Sequence, residues 1–91
     1  MNLPPIELLK AHHQFPGPFV FKVVGQAGVL KESNLTELVQ AHAVHTRVVS
    51  SRESAGGKHV AITLEALVKT PEDVHEIYRD LHKAEGLIML L

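Results

Sequence analysis

Phe19 to Val24 is rich in aromatic and β-branched residues, with Lys22 its one polar position, and reads as the first strand. Phe19, Phe21 and Val23 fall on one face of an extended segment, and Val20, Lys22 and Val24 fall on the other. Lys22 favours water, so the spacing predicts a strand with its phenylalanine face inward. Gly25 and Gly28 predict a loop after it. The period then changes. Leu35, Leu38, Val39 and His42 recur at helical spacing, and Asn34 with Glu37 resembles a capping box, so a helix is expected to start near Ser33 or Asn34. Val44 to Glu53 reads as a second strand centred on Val48 and Val49. Its alternation is too irregular to assign an inward face. Ala55-Gly56-Gly57-Lys58 is a hairpin signal. The strand beyond it, Lys58 to Leu67, alternates cleanly: Val60, Ile62, Leu64 and Ala66 inward, His59, Ala61, Thr63 and Glu65 outward.

Thr70-Pro71-Glu72-Asp73 is the sharpest helix start in the chain. The threonine can cap, the proline suits the first helical position, and two acids complement the positive end of the helix dipole. Val74, Ile77, Tyr78 and Leu81 form its apolar stripe, Gly86 is expected as a left-handed cap, and Leu87 to Leu91 as a last strand. The order β-α-β-β-α-β with right-handed crossovers predicts an α+β, ferredoxin-like, two-layer sandwich. It has a four-stranded antiparallel sheet, order 4-1-3-2, with both helices on one face. Residues 1–14 read as an arm, with a short helix carrying Ile6, Leu8 and Leu9, and residues 15–91 as the single domain.

Composition narrows the function classes. The chain has 91 residues, 45% of them hydrophobic and 21% charged, which is ordinary globular usage. A formal charge of −1 provides neither the basic footprint of a general nucleic-acid binder nor a polybasic membrane anchor. The outward positions of the two central strands carry no stacking aromatic, which argues further against RNA. Without cysteine there is no thiol nucleophile and no disulfide frame. The start Met1-Asn2-Leu3-Pro4-Pro5 lacks a signal-peptide pattern, and the apolar run Leu87 to Leu91 is far short of the roughly 20 residues of a membrane span, so a soluble cytoplasmic protein is expected.

Three groups of residues could carry chemistry. The first is the sheet face that two helices leave open, with Val20, Lys22, Val24, Ala61, Thr63 and Glu65. Lys22 could pair across to Glu65 or approach Thr63. This face is either a solvated ion-pair surface or a platform for a partner or another copy of the chain. The second is the loop Gly25-Gln26-Ala27-Gly28. It lacks GxGxxG and a Walker ending, so it serves either as a plain turn or as a place where a small ligand meets backbone N–H groups. The third is the hairpin, where Lys58 and His59 lie near Ser50, Ser51 and Ser54 but no GxSxG elbow is present. The seven histidines include His12-His13, His42 with His45, and His75 with His82. No HExxH pair occurs, and neither a metal nor any other cofactor is expected.

The run from Phe15 to Ala27, Phe-Pro-Gly-Pro-Phe-Val-Phe-Lys-Val-Val-Gly-Gln-Ala, resembles the signature of the YbeD-like family of small bacterial proteins of unknown function. The Ser-rich edge from Ser50 to Lys58, the strand Val60-Ala61-Ile62-Thr63 and the helix with Val74, Ile77 and Tyr78 extend the resemblance over residues 15–91. It implies a ferredoxin-like fold similar to ACT regulatory domains, with no reaction, cofactor or catalytic residue to carry over. ACT domains often bind amino acids at the loop after the first strand and at subunit interfaces, which here implicates Gly25, Gln26, Ala27 and Gly28. The Asp-Arg-Pro-Gly type of opening seen in many ACT domains is missing.

The expected function is therefore a non-enzymatic regulatory or protein-interaction module, forming a homodimer or meeting an unknown protein partner or small-molecule effector. The alternatives are a sensor that binds a small molecule at the loop after the first strand, and a small enzyme using the Lys58/His59 hairpin.

Overall fold

The computed structural model of the chain describes residues 3–91. Its elements are α1 (Ile6–His12), β1 (Gly17–Gln26), α2 (Glu32–Gln40), β2 (Val44–Glu53), β3 (His59–Val68), α3 (Pro71–Leu81) and β4 (Leu87–Leu90). The strands form one antiparallel sheet in the order β2-β3-β1-β4, the order expected from the sequence. The register of the central pair is continuous from Gly17↔Val68 to Gln26↔His59. Partners in a ladder share a face, so Phe19, Phe21 and Val23 stand with Ala66, Leu64 and Ile62 on the helix side. All six are buried there, with Leu35 and Val39 of α2 and Val74, Ile77 and Leu81 of α3. The aromatic members run as a chain: Phe19 and Phe21 rings lie 5.0 Å apart, and Tyr78 meets Phe21 edge-on at 5.5 Å.

The amino-terminal helix packs against α3. Leu9 joins the core, Ile6 packs at its margin, and Leu8 of the expected apolar trio faces water. The peptide bond between Phe15 and Pro16 is cis where the chain turns from α1 into β1.

Four local expectations change. First, β1 is longer than Phe19–Val24 and takes in Gly25 and Gln26. Gly25 is therefore a strand residue, paired with both Val60 and Leu87. A side chain there would lie 2.5 Å from the carbonyl oxygen of Gly86 and 2.7 Å from Leu30 Cδ2, so close packing rather than a turn requires the glycine. Second, α2 begins at Glu32 with Lys31 at its N-cap and no side-chain cap bond. Asn34 is already inside the helix, and no capping box forms. Third, α3 starts as expected, with Thr70 Oγ1 accepting the N–H of Asp73 at 3.2 Å, but it ends at Leu81 with His82 as its C-cap. Gly86 does adopt a left-handed φ of 85°, in the turn that feeds β4 rather than at the helix end. Fourth, β3 starts at His59 and runs to Val68, which leaves Lys58 in the hairpin turn.

The hairpin closes through Ser54 N–H to the His59 carbonyl at 2.8 Å, with Gly57 at a φ of 70°. The unassigned faces of β2 are set by its partners. Val48 and Ser51 oppose Leu64 and Ile62 on the helix side, while Arg47, Ser50 and Arg52 oppose Glu65, Thr63 and Ala61 on the open side. Irregular register between Val44 and Arg47 and between Val48 and Ser50 shifts the parity twice, which accounts for the poor alternation in the sequence.

Candidate interaction face

Every residue expected on the open face is there. Val20, Lys22 and Val24 lie opposite Glu65, Thr63 and Ala61 across the β1–β3 ladder. The ion pair is different from the first alternative read in the sequence. Glu65 accepts from Arg47 of β2, at 2.9 Å from Nη2 and 3.2 Å from Nε. The reason is position: Arg47 is directly opposite Glu65, whereas Lys22 is directly opposite Thr63, the other alternative. Among the described residues, neither Lys22 nor Arg52 has a carboxylate within ion-pair distance.

Sequence reasoning missed the rest of this face. Val44 and Leu67 pair at one end of it, and Met89 joins Val24 at the other. Leu91 donates its N–H to the Lys22 carbonyl at 2.9 Å, continuing the line of β4. Val20, Val44, Leu67, Met89 and Leu91 are all more than a third exposed, so the face is an apolar surface studded with cations. The usable signal for Met89 and Leu91 was their spacing of two. No sequence signal placed Val44 and Arg52 on this face, because the register irregularities hide it.

The glycine segment does not offer a cradle of free backbone donors. Gln26 N–H reaches the Gly86 carbonyl at 2.8 Å and Ala27 N–H the Lys58 carbonyl at 3.0 Å. Val29 and Leu30 both donate to the Gln26 carbonyl. Gly28, at a φ of 82°, is the residue that needs glycine for the turn itself. Ala27 and Gly28 border a groove of about 370 Å³, with Lys31 and Ser33 on one wall and Ser51 and Glu53 on the other.

The hairpin serines diverge. Ser50 is on the open side and Ser51 on the helix side, while Ser54 Oγ accepts the backbone N–H of His59 at 3.2 Å. No hydrogen bond joins the His59 ring to a serine hydroxyl among the described residues. His59 and Ser54 border a surface depression of about 370 Å³ with Arg52 and Val24, and Lys58 is not part of its lining. Three of the other histidines are tied into the scaffold through contacts outside their own element. His42 Nε2 lies 2.8 Å from Asp80 Oδ2, joining the end of α2 to α3 at the half-buried core edge. His75 Nε2 contacts the Pro4 carbonyl, and His13 packs on the Phe19 ring with centroids 4.6 Å apart. Among the described residues no three His, Asp or Glu side chains converge to hold a metal ion. Burial pushes the Tyr78 hydroxyl above the ordinary phenol range.

A four-stranded antiparallel sheet in this order, with helices on one face alone, defines an ACT-like ferredoxin fold. The solution structure of protein HP0495 from H. pylori aligns with 100% of this chain and 98% of its own, at a TM-score of 0.76 and 15% identity. The ACT domain from the GTP pyrophosphokinase of Chlorobium tepidum aligns with 81% of this chain and 94% of its own, at 0.60 and 15%. These likenesses concern the fold. Residues 10–91 match the family described as "Protein of unknown function (DUF493)". The UPF0250 proteins of Shewanella woodyi and Shewanella sediminis are 35% and 32% identical over 78 residues, 86% of this chain and 89% of each relative. The chain belongs to the DUF493 family, and its resemblance to YbeD-like proteins is borne out. Among the described residues no helix is long and apolar enough to cross a membrane.

Proposed function

We propose that this protein is a non-enzymatic regulatory module that docks an acidic, partly apolar protein segment on the open face of its sheet. One observation carries the reading: the face is apolar, and its unpaired charges are all of one sign. Val20, Val24, Ala61 and Met89 offer dry contact area, Lys22 and Arg52 have no carboxylate partner among the described residues, and Arg47 already neutralises Glu65. A partner with Asp or Glu beside Val or Leu complements it, because like charges across an interface are costly and opposite ones guide the encounter. Two copies meeting face to face would set Lys22 and Arg52 against cations, so self-docking on this face is disfavoured.

The test is backbone chemical-shift mapping with two synthetic probes, a peptide alternating Asp with Val and its Lys-for-Asp counterpart. The expected result is saturable shifts at Val20, Lys22, Val24, Ala61, Thr63 and Glu65 with the acidic probe alone. Equal response to both probes, or shifts confined to other surfaces, contradicts the reading.

The groove beside Ala27 and Gly28 supports a second reading, a sensor for a small zwitterion held between Lys31 and Glu53. Free amino acids titrated into the same sample would then shift Gly28, Lys31 and Ser51 while leaving Lys22 and Thr63 unmoved.

A further inference from the structure

A cleft of about 410 Å³ opens where three separate segments meet: Leu3 and Pro4 ahead of α1, Tyr78 and His82 at the end of α3, and Leu90 and Leu91 at the end of β4. A volume of this size falls within the range of small-molecule sites. Its walls are apolar except for Tyr78 and His82, which are four positions apart and so neighbours on one side of the helix. These two present defined hydrogen-bonding groups. His82 Nδ1 lies 2.8 Å from the Tyr78 carbonyl oxygen. A carbonyl oxygen can only accept, so Nδ1 carries the proton, and Nε2 of the neutral ring is left as an acceptor. The Tyr78 ring is held edge-on against Phe21, yet its hydroxyl makes no hydrogen bond to a described residue. Burial holds that hydroxyl in its protonated form above the ordinary phenol range, so it is a desolvated donor without a protein partner.

We infer that this cleft binds a small neutral alcohol or phenol, whose hydroxyl donates to His82 Nε2 and accepts from the Tyr78 hydroxyl while its hydrocarbon part lies against Leu3, Pro4 and Leu90. The charge of the walls selects the class. No Asp, Glu, Lys or Arg lines the cleft, so neither an ammonium nor a carboxylate entering it would regain what it loses on leaving water. A carboxylate would also set its oxygens against the Nε2 lone pair. A pure hydrocarbon would leave both polar groups unmet. A hydroxyl is donor and acceptor in one group and satisfies the two together. Leu91 is the one residue that this cleft shares with the open face, so the two readings fail separately.

Three probes of one shape separate the ligand classes: para-cresol, toluene and para-toluate, each titrated into the full chain and followed by backbone and imidazole nitrogen shifts. Para-cresol is expected to shift Tyr78, His82 and Leu90 saturably, half-complete at about 1–10 mM as suits so small a molecule, and to move the His82 Nε2 resonance. Toluene and para-toluate should bind at least threefold more weakly. Tyr78→Phe keeps the ring and should lower the affinity for para-cresol at least threefold while leaving that for toluene unchanged, a split that loss of packing does not produce. His82→Ala, at an exposed helix end, gives the same split should Tyr78→Phe disturb the fold. No saturable response to para-cresol up to about 50 mM overturns the inference. So do equal affinities for para-cresol and toluene, a preference for para-toluate, and para-cresol binding untouched by both substitutions.

Discussion

The two faces of β1 show how one strand separates a covered side from an uncovered one. On the helix side Phe21 and Val23 have no exposed surface, while on the reverse Val20 is 46% exposed and Lys22 stands in water. The side chains alternate along the same ten residues, so the chemistry of the two faces is set independently. A substitution on the covered face loses contacts on every side. One on the open face loses almost none, so the open face can carry residues chosen for a partner.

The largest effect is expected at Phe21. Phe21→Ala removes the ring between Phe19 and Tyr78 and should cost about 3–5 kcal/mol in chemical denaturation, enough to leave the domain marginal or unfolded. A smaller loss would mean that the covered face repacks easily. Gly25→Ala comes next. The added methyl meets a fixed backbone carbonyl as well as the Leu30 side chain, and overpacking of this kind costs about 1–3 kcal/mol. If its only effect were on ligand binding, with full stability retained, Gly25 would belong to a binding loop after all. On the open face, a double-mutant cycle of Arg47→Ala with Glu65→Ala should give a coupling of at most about 1 kcal/mol, lower in high salt, because both side chains are solvated. Tyr78 gives the subtlest signal. Its hydroxyl titrates higher in the folded state than in the unfolded one, so its contribution is complete below about pH 10 and fades as pH rises through the folded value. Tyr78→Phe should flatten that alkaline decline relative to wild type. An identical decline in both proteins would assign it to other groups.

Much of this division is written in the periodicity. The parity of β1 and β3 follows from Phe19 to Val24 and from Val60 to Ala66 because neither strand bulges between those residues. Thr70-Pro71 marks the start of α3 because cap chemistry is local. What escaped the sequence depends on tertiary neighbours. Register irregularities reverse the parity of β2, Gly25 is required by Gly86 and Leu30 from distant segments, and Asn34 is displaced from the cap by a helix that starts earlier. The partner of Glu65 was legible only once β2 was in register, since Arg47 precedes it by 18 positions. Leu9 packs into the core cluster from the amino-terminal arm.

On the proposed reading the open face contributes to recognition and not to stability, and one doubly substituted protein tests both halves. With Lys22→Glu and Arg52→Glu combined, the unfolding free energy should stay within about 0.5 kcal/mol of wild type. In the same preparation, affinity for the alternating Asp–Val peptide should fall at least tenfold. Unchanged affinity, or a loss of several kcal/mol in stability, would contradict it.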